Sequence, residues 1–444
     1  MKQKTFFLES LGCAKNTVDS DSMSALLQQA GYRAVAKPSQ AEVLIVNTCG
    51  FIAAAREESY DVLRELAEKK HPGQKLIAAG CLTERYRQAV VEQVPGIDGI
   101  LSTRRWMDIL EIVEKLRSGR SHGLYQLPEV PALSRDDRGV LRAAVQGSSA
   151  YLKIADGCRR GCAFCAIPLI KGTAVSRTPD AILAEARSLV DGGIRELILI
   201  AQDTTDYGSD LGLKDGLAIL LEKLLMVVPD LPWLRLLYTF PGFVTPRLVD
   251  VMASNPHLLP YLDIPLQHAD PGLLRAMKRP SDMVGVRKLI AGMRERLPEL
   301  AIRSTFIVGY PGEGEREFQT LLDFLAEVRL DHVGAFTFSF EEGTPSQPLG
   351  DPVPAEVKLE RLERLMTLQA EISLGKNQAF IGRTLDVLIE GVDEKQAISI
   401  GRSYRDAPEI DGLVIVEGSL PVGELARVHI SGALTHDLTG RIEN

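Results

Sequence analysis

The sequence predicts an α/β protein in three parts: an N-terminal open parallel α/β domain, a central partial (β/α)6 barrel and a small antiparallel β-barrel at the C-terminus. Three observations lead there. Short apolar runs alternate with amphipathic stretches as far as residue 375, which is the pattern of parallel strands joined by helices. Beyond that point the pattern changes to short alternating runs split by turn residues. The chain has 444 residues, too many for one ordinary core, and at ~150 residues per domain it divides into two or three. The expected domains are 1–135, 145–375 and 376–444.

In the first domain, Thr5–Leu8, Val43–Val46 and Lys75–Ala79 read as buried parallel strands. Amphipathic stretches follow near Val18–Ala30, Ala53–Lys69 and Glu84–Gln93. Cys13, Cys49 and Cys81 each fall just past the C-terminal end of one of these strands, beside Gly12, Gly50 and Gly80. That edge of an open α/β sheet is where ligands bind. Three thiolates distant in sequence thus converge on one rim, near helix N-termini that favour negative charge. A second iron–sulfur cluster fits them better than three ordinary buried thiols. Asn16 and Asn47 neighbour the rim, either as site residues or as turn and cap residues. Leu116–Ser149, rich in Gly, Pro and Ser, reads as a linker or an edge segment.

Composition narrows the class. The 45% hydrophobic and 25% charged fractions are those of a soluble globular protein. The N-terminus has a basic start but too short an apolar run for a signal peptide, and no stretch nears the ~20 apolar residues of a membrane span. A cytoplasmic protein is expected, and there six cysteines argue for metal or catalysis rather than disulfides. The net charge of −8 argues against RNA contacts dominating and points to a basic partner.

The central domain offers six strands: Ala150–Ala155, Glu196–Ala201, Leu234–Tyr238, Tyr261–Pro265, Ile302–Val308 and Val333–Phe338. Each is followed by a polar turn, so the turns gather at one mouth, where barrel enzymes do their chemistry. The first turn holds Cys158, Cys162 and Cys165, spaced C-x3-C-x2-C, with Phe164 before the third. Thiolates suit zinc, copper(I) or iron–sulfur clusters. A closed zinc site needs a fourth ligand, and none lies in this loop. Three thiolates on a four-iron cubane leave one iron open to a chelating molecule. The loop resembles that of the radical S-adenosylmethionine (SAM) superfamily.

That resemblance implies a [4Fe–4S] cluster carrying S-adenosylmethionine, cradled by the other turns. Gly192, Gly193 and Glu196 are then expected near the methionine amino group. Asp203, Gln267, Arg303 and Gly309 are expected near the ribose, carboxylate or adenine. Each has a plainer reading as well: Gly192 and Gly193 as a helix end, Arg303 as a buried ion pair, Gln267 and His268 as structural hydrogen bonders. His268 has no partner at ligand spacing.

After a long charged helix, Ala355–Gly375, the runs Thr384–Ile389, Ala397–Arg402, Leu413–Glu417 and Ala426–Ser431 predict a five-strand barrel. Residues 376–444 hold seven Lys and Arg against eleven Asp and Glu, so this barrel attracts cations and repels phosphate. The ensemble resembles the methylthiotransferase family, with a TRAM-like last domain for substrate recognition. SLGCAKNTVDSD (10–21), YLDIPLQHAD (261–270) and GRSYRDAPEIDG (401–412) are similar to the branch that modifies an aspartate of the twelfth small-subunit ribosomal protein. The resemblance implies two [4Fe–4S] clusters on the six cysteines and a deoxyadenosyl radical that takes hydrogen from the aspartate β-carbon. It also implies a second cluster that holds or supplies the sulfur, a methyl group from a second S-adenosylmethionine, and an external electron donor. Two other readings compete. The sister branch, which methylthiolates an adenosine of tRNA, calls for a basic barrel; a two-cluster electron carrier or redox sensor has no need of six converging turns.

Overall fold

The structure, a computed structural model, describes residues 4–118, 125–126 and 138–443. Six strands, β1 (Thr5–Ser10), β2 (Arg33–Ala34), β3 (Val43–Thr48), β4 (Lys75–Gly80), β5 (Gly99–Ser102) and β6 (Tyr125–Gln126), form one parallel sheet in the order β2–β1–β3–β4–β5–β6. All of β3, VLIVNT, is buried, because helices cover both faces. Helix α1 (Ala14–Gln29) shares one core with α4 (Ile109–Arg117) through Met23, Leu27, Ile112 and Val113. Helices α2 (Ala53–Lys69) and α3 (Cys81–Gln93) pack on the other face through Tyr60, Leu63 and Val90. The three expected strands are present. β5 escapes a periodicity reading because only four residues, GILS, carry it. Most of the expected linker 116–149 lies outside the described residues, but its end is ordered as strand β7 (Ala143–Gln146), antiparallel to the next strand.

The middle of the chain is an open barrel. Strand β8 (Ser149–Lys153) leads to a cysteine loop whose neck is clamped by β9 (Ala155–Asp156) and β10 (Val175–Ser176). Then come β11 (Glu196–Ile200), β12 (Trp233–Leu236), β13 (Tyr261–Asp263), β14 (Ala301–Val308) and β15 (His332–Thr337). β12–β11–β8–β7 and β13–β14–β15 are two sheets joined where Leu234 bridges Leu258. Helices α5 (Ile167–Lys171), α6 (Pro179–Asp191), α7 (Gly216–Val227), α8 (Pro246–Ser254), α9 (Pro271–Ala276), α10 (Met283–Arg296), α11 (Glu315–Val328) and α12 (Ala355–Gln378) complete this part. The outward strand faces and these helices, α5 excepted, share one large apolar core. All six expected strands are there. Among the described residues no helix is long and apolar enough to cross a membrane.

The last unit is a closed barrel of β16 (Thr384–Asp393), β17 (Ile398–Ser403), β18 (Val414–Glu417), β19 (Leu425–Ala433) and β20 (Leu438–Ile442), in the order β16–β17–β18–β20–β19. β20, LTGRI, lacks an apolar run, so only four of the five strands were legible beforehand.

Residues 402–411 of this unit stop the lower end of the open barrel. Arg402 pairs with Glu196 at 2.6 Å, and Glu196 also holds Arg235 at 2.6 Å. All three side chains are fully or almost fully buried. Tyr261 donates to Asp411 Oδ2 at 2.6 Å, and a ring nitrogen of His332 lies 2.8 Å from the Arg405 carbonyl. Burial alone pushes the Glu196 carboxyl up, but the two guanidiniums carry it down to about 2. Its stabilisation is therefore complete above the ordinary glutamate range and disappears as pH falls towards about 2. Replacing Glu196 by alanine leaves two buried guanidiniums short of a partner and is expected to cost about 3–5 kcal/mol. A urea titration at pH 7 measures this loss, and the gap between wild type and variant should narrow at acid pH.

Candidate active site where two cysteine sets meet

Cys13 caps the N-terminus of α1, Cys49 follows β3 and Cys81 opens α3. They come from three loops at one sheet edge. Gly12, at φ +92°, leaves so little room that a Cβ there would stand 2.9 Å from Cys49 Cβ and 3.1 Å from its Sγ. Two buried asparagines tie these loops together. Asn16 donates from Nδ2 to the carbonyls of Leu11 and Thr48, and Asn47 donates to the Asn16 carbonyl and Ser20 Oγ. Both therefore set the positions of the cysteines. The Cys81 thiol donates to Asn16 Oδ1 at 3.5 Å.

The second set sits on the loop after β8. Cys158, Cys162 and Cys165 line a cavity of about 300 Å³ with Arg160, Gly343 and Pro345. Phe164 turns away from it, packing with Leu273, Met277, Tyr310 and Phe338, and so seats the loop on the barrel wall. All six cysteines are free thiols. Burial pushes Cys158 up to about 11 and Cys81 and Cys165 up to about 12, and raises Cys49 too. Loading iron must displace these protons, so binding strengthens as pH rises. Among the described residues no three His, Cys, Asp or Glu side chains close on a single metal ion. A cluster of several irons draws on a more widely spread set of donors than one ion does.

The mouth also carries polar atoms that no described residue satisfies. Gln202 Oε1, Arg160 Nη2 and Arg279 Nε are buried without a hydrogen-bond partner. Arg160 pairs with Asp203 at 2.6 Å and lies over the rings of Phe240 and Phe243. Arg279 stacks on Phe240 and donates to Cys162 Sγ at 3.6 Å. Orphaned donors and an acceptor beside three thiols suit a polar, charged cofactor. No sequence signal marked Arg279, which stands 114 residues beyond Cys165. Arg160 lies between Cys158 and Cys162 and Gln202 directly before Asp203, where sequence alone gives neither a role.

The structure places the expected cofactor contacts unevenly. Asp203 is at the mouth. Gln267, at φ +77°, is also on that side, its backbone laced to Thr305 and Ile307 of β14. Gly192, Gly193 and Glu196 are not there. The two glycines form the C-terminal turn of α6, with Gly193 at φ +97°, and Glu196 opens β11, so all three lie at the opposite end of the barrel. A residue preceding a strand cannot reach the face that follows it. Arg303 points into the barrel, but its guanidinium is held by Asp411 at 3.2 Å and Asp263 at 3.6 Å. Gly309 is a packing glycine. Its amide donates to Glu313, and a Cβ there would collide with Lys358 Cγ. His268 is buried, accepting the Asp270 N–H at Nδ1 and lying 3.3 Å from Glu313.

The first cysteine set reaches the second cysteine loop through Cys81. Cys81 packs with Ala166 and Ile170, on the segment directly after Cys165, and with Phe51. Beside this contact lies a buried charge network. Asp19 of α1 accepts from Arg142, Lys153 (2.7 Å) and Lys171 (2.8 Å), and Asp156 adds a second carboxylate. Burial works against the Asp19 charge, yet the three cations hold it far below the usual carboxylate range. Arg85 bonds Glu341 at 2.6 Å, and Arg104 donates to the Ile170 and Leu169 carbonyls, fixing sheet to barrel.

Comparison with known proteins agrees segment by segment. Residues 5–102 match the model of uncharacterized protein family UPF0004, 152–325 that of the radical SAM superfamily, and 381–442 that of the TRAM domain. By class this is a radical SAM protein, and the class carries S-adenosylmethionine on a [4Fe–4S] cluster. The fold is similar to that of the radical S-adenosylmethionine methyltransferase TsrM from Kitasatospora setae. That match has a TM-score of 0.58 and 15% identity, over 86% of this chain and 80% of the other. The ribosomal protein uS12 methylthiotransferase RimO of Roseiflexus sp. (strain RS-1) is 46% identical over 98% of this chain and 97% of its own. That of Chloroflexus aurantiacus is 48% identical over 98% and 99%. This chain belongs to the ribosomal protein uS12 methylthiotransferase family.

Proposed function

We propose that the protein adds a methylthio group to the β-carbon of an aspartate in ribosomal protein uS12. The observation that carries this reading is the contact of Cys81 with Ala166 and Ile170, which sets one cysteine of the first group against the segment that follows Cys165. Cys158, Cys162 and Cys165 are assigned one [4Fe–4S] cluster, and Cys13, Cys49 and Cys81 a second. When bound, these groups supply a carbon-centred radical from S-adenosylmethionine and the sulfur to be transferred, with an external donor providing electrons.

The chain's own residues do the positioning. Phe164 anchors the first cysteine loop. Arg160, Gln202 and Arg279 offer their orphaned atoms to S-adenosylmethionine, with Asp203 orienting Arg160. Holding reactants in place replaces a chance encounter by an arranged one, and the surrounding wall keeps other hydrogens away. The acidic last barrel suits a basic ribosomal protein. The buried side chains of Arg402, Arg405, Asp406 and Asp411 cancel, so the negative excess falls on the rest of this unit. The same excess disfavours tRNA.

The test is anaerobic incubation of the reconstituted protein with uS12 and with tRNA, each analysed by mass spectrometry. An added methylthio group on an aspartate of uS12 is expected. Modification of tRNA alone would replace this reading by the sister reaction.

A further inference from the structure

The interior of the barrel is open on one side. Along β14 the inward side chains Arg303, Thr305 and Ile307 stay partly accessible, while Ile302, Ser304, Phe306 and Val308 between them are buried under helices. On β15, in register with Ile307, Phe336 is 52% exposed. Strands of a filled barrel interior show no such accessibility. That accessible strip of β14 and β15 is a face on which an extended chain segment can lie.

One cation faces this space without a carboxylate. Lys15, two residues after Cys13, places its Nζ 3.2 Å from the centroid of the Tyr238 ring. Tyr238 follows β12 at φ +59°, its amide bonded to Asp263 Oδ2 and its carbonyl to Thr204 in the turn that carries Asp203. The other charges around the space are Arg303, Asp263, Asp411 and His332. The two carboxylates lie on Arg303, with His332 3.6 Å from Asp411. Lys15 makes no ion pair among the described residues. Its partners are the Tyr238 ring and hydroxyl, while Cys13 and Asp263 act on it at longer range. A half-buried ammonium on an aromatic face has its attraction for an anion unspent.

The geometry points to Lys15 as the residue that holds the side-chain carboxylate of the target aspartate, the peptide lying along the open β14–β15 side. The inference rests on the methylthiotransferase reading above and deepens it. The β-carbon of an aspartate is bonded directly to its carboxyl carbon. A carboxylate seated on Lys15 therefore fixes the reacting carbon within one bond, close to Cys13 and beneath the turn beside the cysteine loop. A cation at this position also tells aspartate from its neutral isostere, asparagine.

The experiment compares two synthetic peptides of the uS12 target loop, one with the aspartate and one with asparagine in its place. Binding to reconstituted holoenzyme is read anaerobically by fluorescence anisotropy. Wild type is expected to prefer the aspartate peptide by about ten-fold or more, as a charge-assisted hydrogen bond provides. Lys15→Met should reduce the preference to near unity, and Lys15→Arg should keep most of it. Iron content is checked for each variant, and Lys15→Gln serves if Lys15→Met does not load. A neutral variant that keeps the wild-type preference overturns the assignment. So does one that only shifts the reduction potential of the Cys13 cluster, which would make Lys15 a partner of the thiolates. If wild type binds neither peptide, the methylthiotransferase reading falls first and Lys15 with it.

Discussion

Cys162→Ala is expected to abolish the reductive release of 5′-deoxyadenosine and to lower iron from about eight to about four per chain. The reason is local. Cys162 is buried, its sulfur faces Arg279, and the loop around it offers no fourth cysteine or histidine as a substitute. The nearest other thiols belong to the N-terminal sheet, where Cys49 and Cys81 are tied in place by Ser59 and Asn16. Two remaining thiolates hold a cubane poorly, and with it goes the iron that S-adenosylmethionine needs. Chromatography of the nucleoside after dithionite reduction, with a parallel iron assay, measures both effects. Undiminished release would place the reactive iron elsewhere.

The complementary triple variant, with Cys13, Cys49 and Cys81 all changed to serine, separates the two halves of the reaction. Iron should again fall to about four. Deoxyadenosine release should persist, because the cysteine loop is anchored independently by Phe164, by the β9–β10 clamp and by Ser346, whose amide donates to the Ala163 carbonyl. Methylthio transfer to uS12 should fall below detection. Serine is the right replacement, since Cys81 is packed against Ala166 and Ile170 and a larger residue would disturb the neighbouring loop. An iron content unchanged by the triple substitution would remove the second cluster.

Much of this was legible from residue order alone. Cys13, Cys49 and Cys81 each follow an apolar run, and in a parallel sheet that order is enough to gather them at one edge. Cys158, Cys162 and Cys165 needed only their spacing. Failure came where function depends on which end of a strand a residue occupies. Gly192 and Gly193 precede β11 and Glu196 opens it, and direction along the strand assigns all three to the far end of the barrel. Other residues were invisible because their neighbours are remote in sequence. Arg279 meets Cys162 only through the fold, and nothing local marks an arginine whose Nε will be buried and unanswered. Lys15 stood inside a quoted motif, yet its importance rests on a tyrosine 223 positions away. The motif GRSYRDAPEIDG marked a family branch and nothing in it told its structural place: Arg402, Arg405, Asp406 and Asp411 have their side chains buried against the barrel or beneath it.

That last feature changes how shortened forms of the protein must be interpreted. Residues 402–411 are the floor of the vessel in which the radical is made. A chain ending near 376 would lose the acidic barrel proposed to dock the substrate, but it would also admit water from below and strand Glu196 and Arg235 in the leak. A truncated enzyme that burns S-adenosylmethionine without product should therefore be read as a leaking container, and the docking role of the terminal domain judged instead from charge reversals on its outer wall.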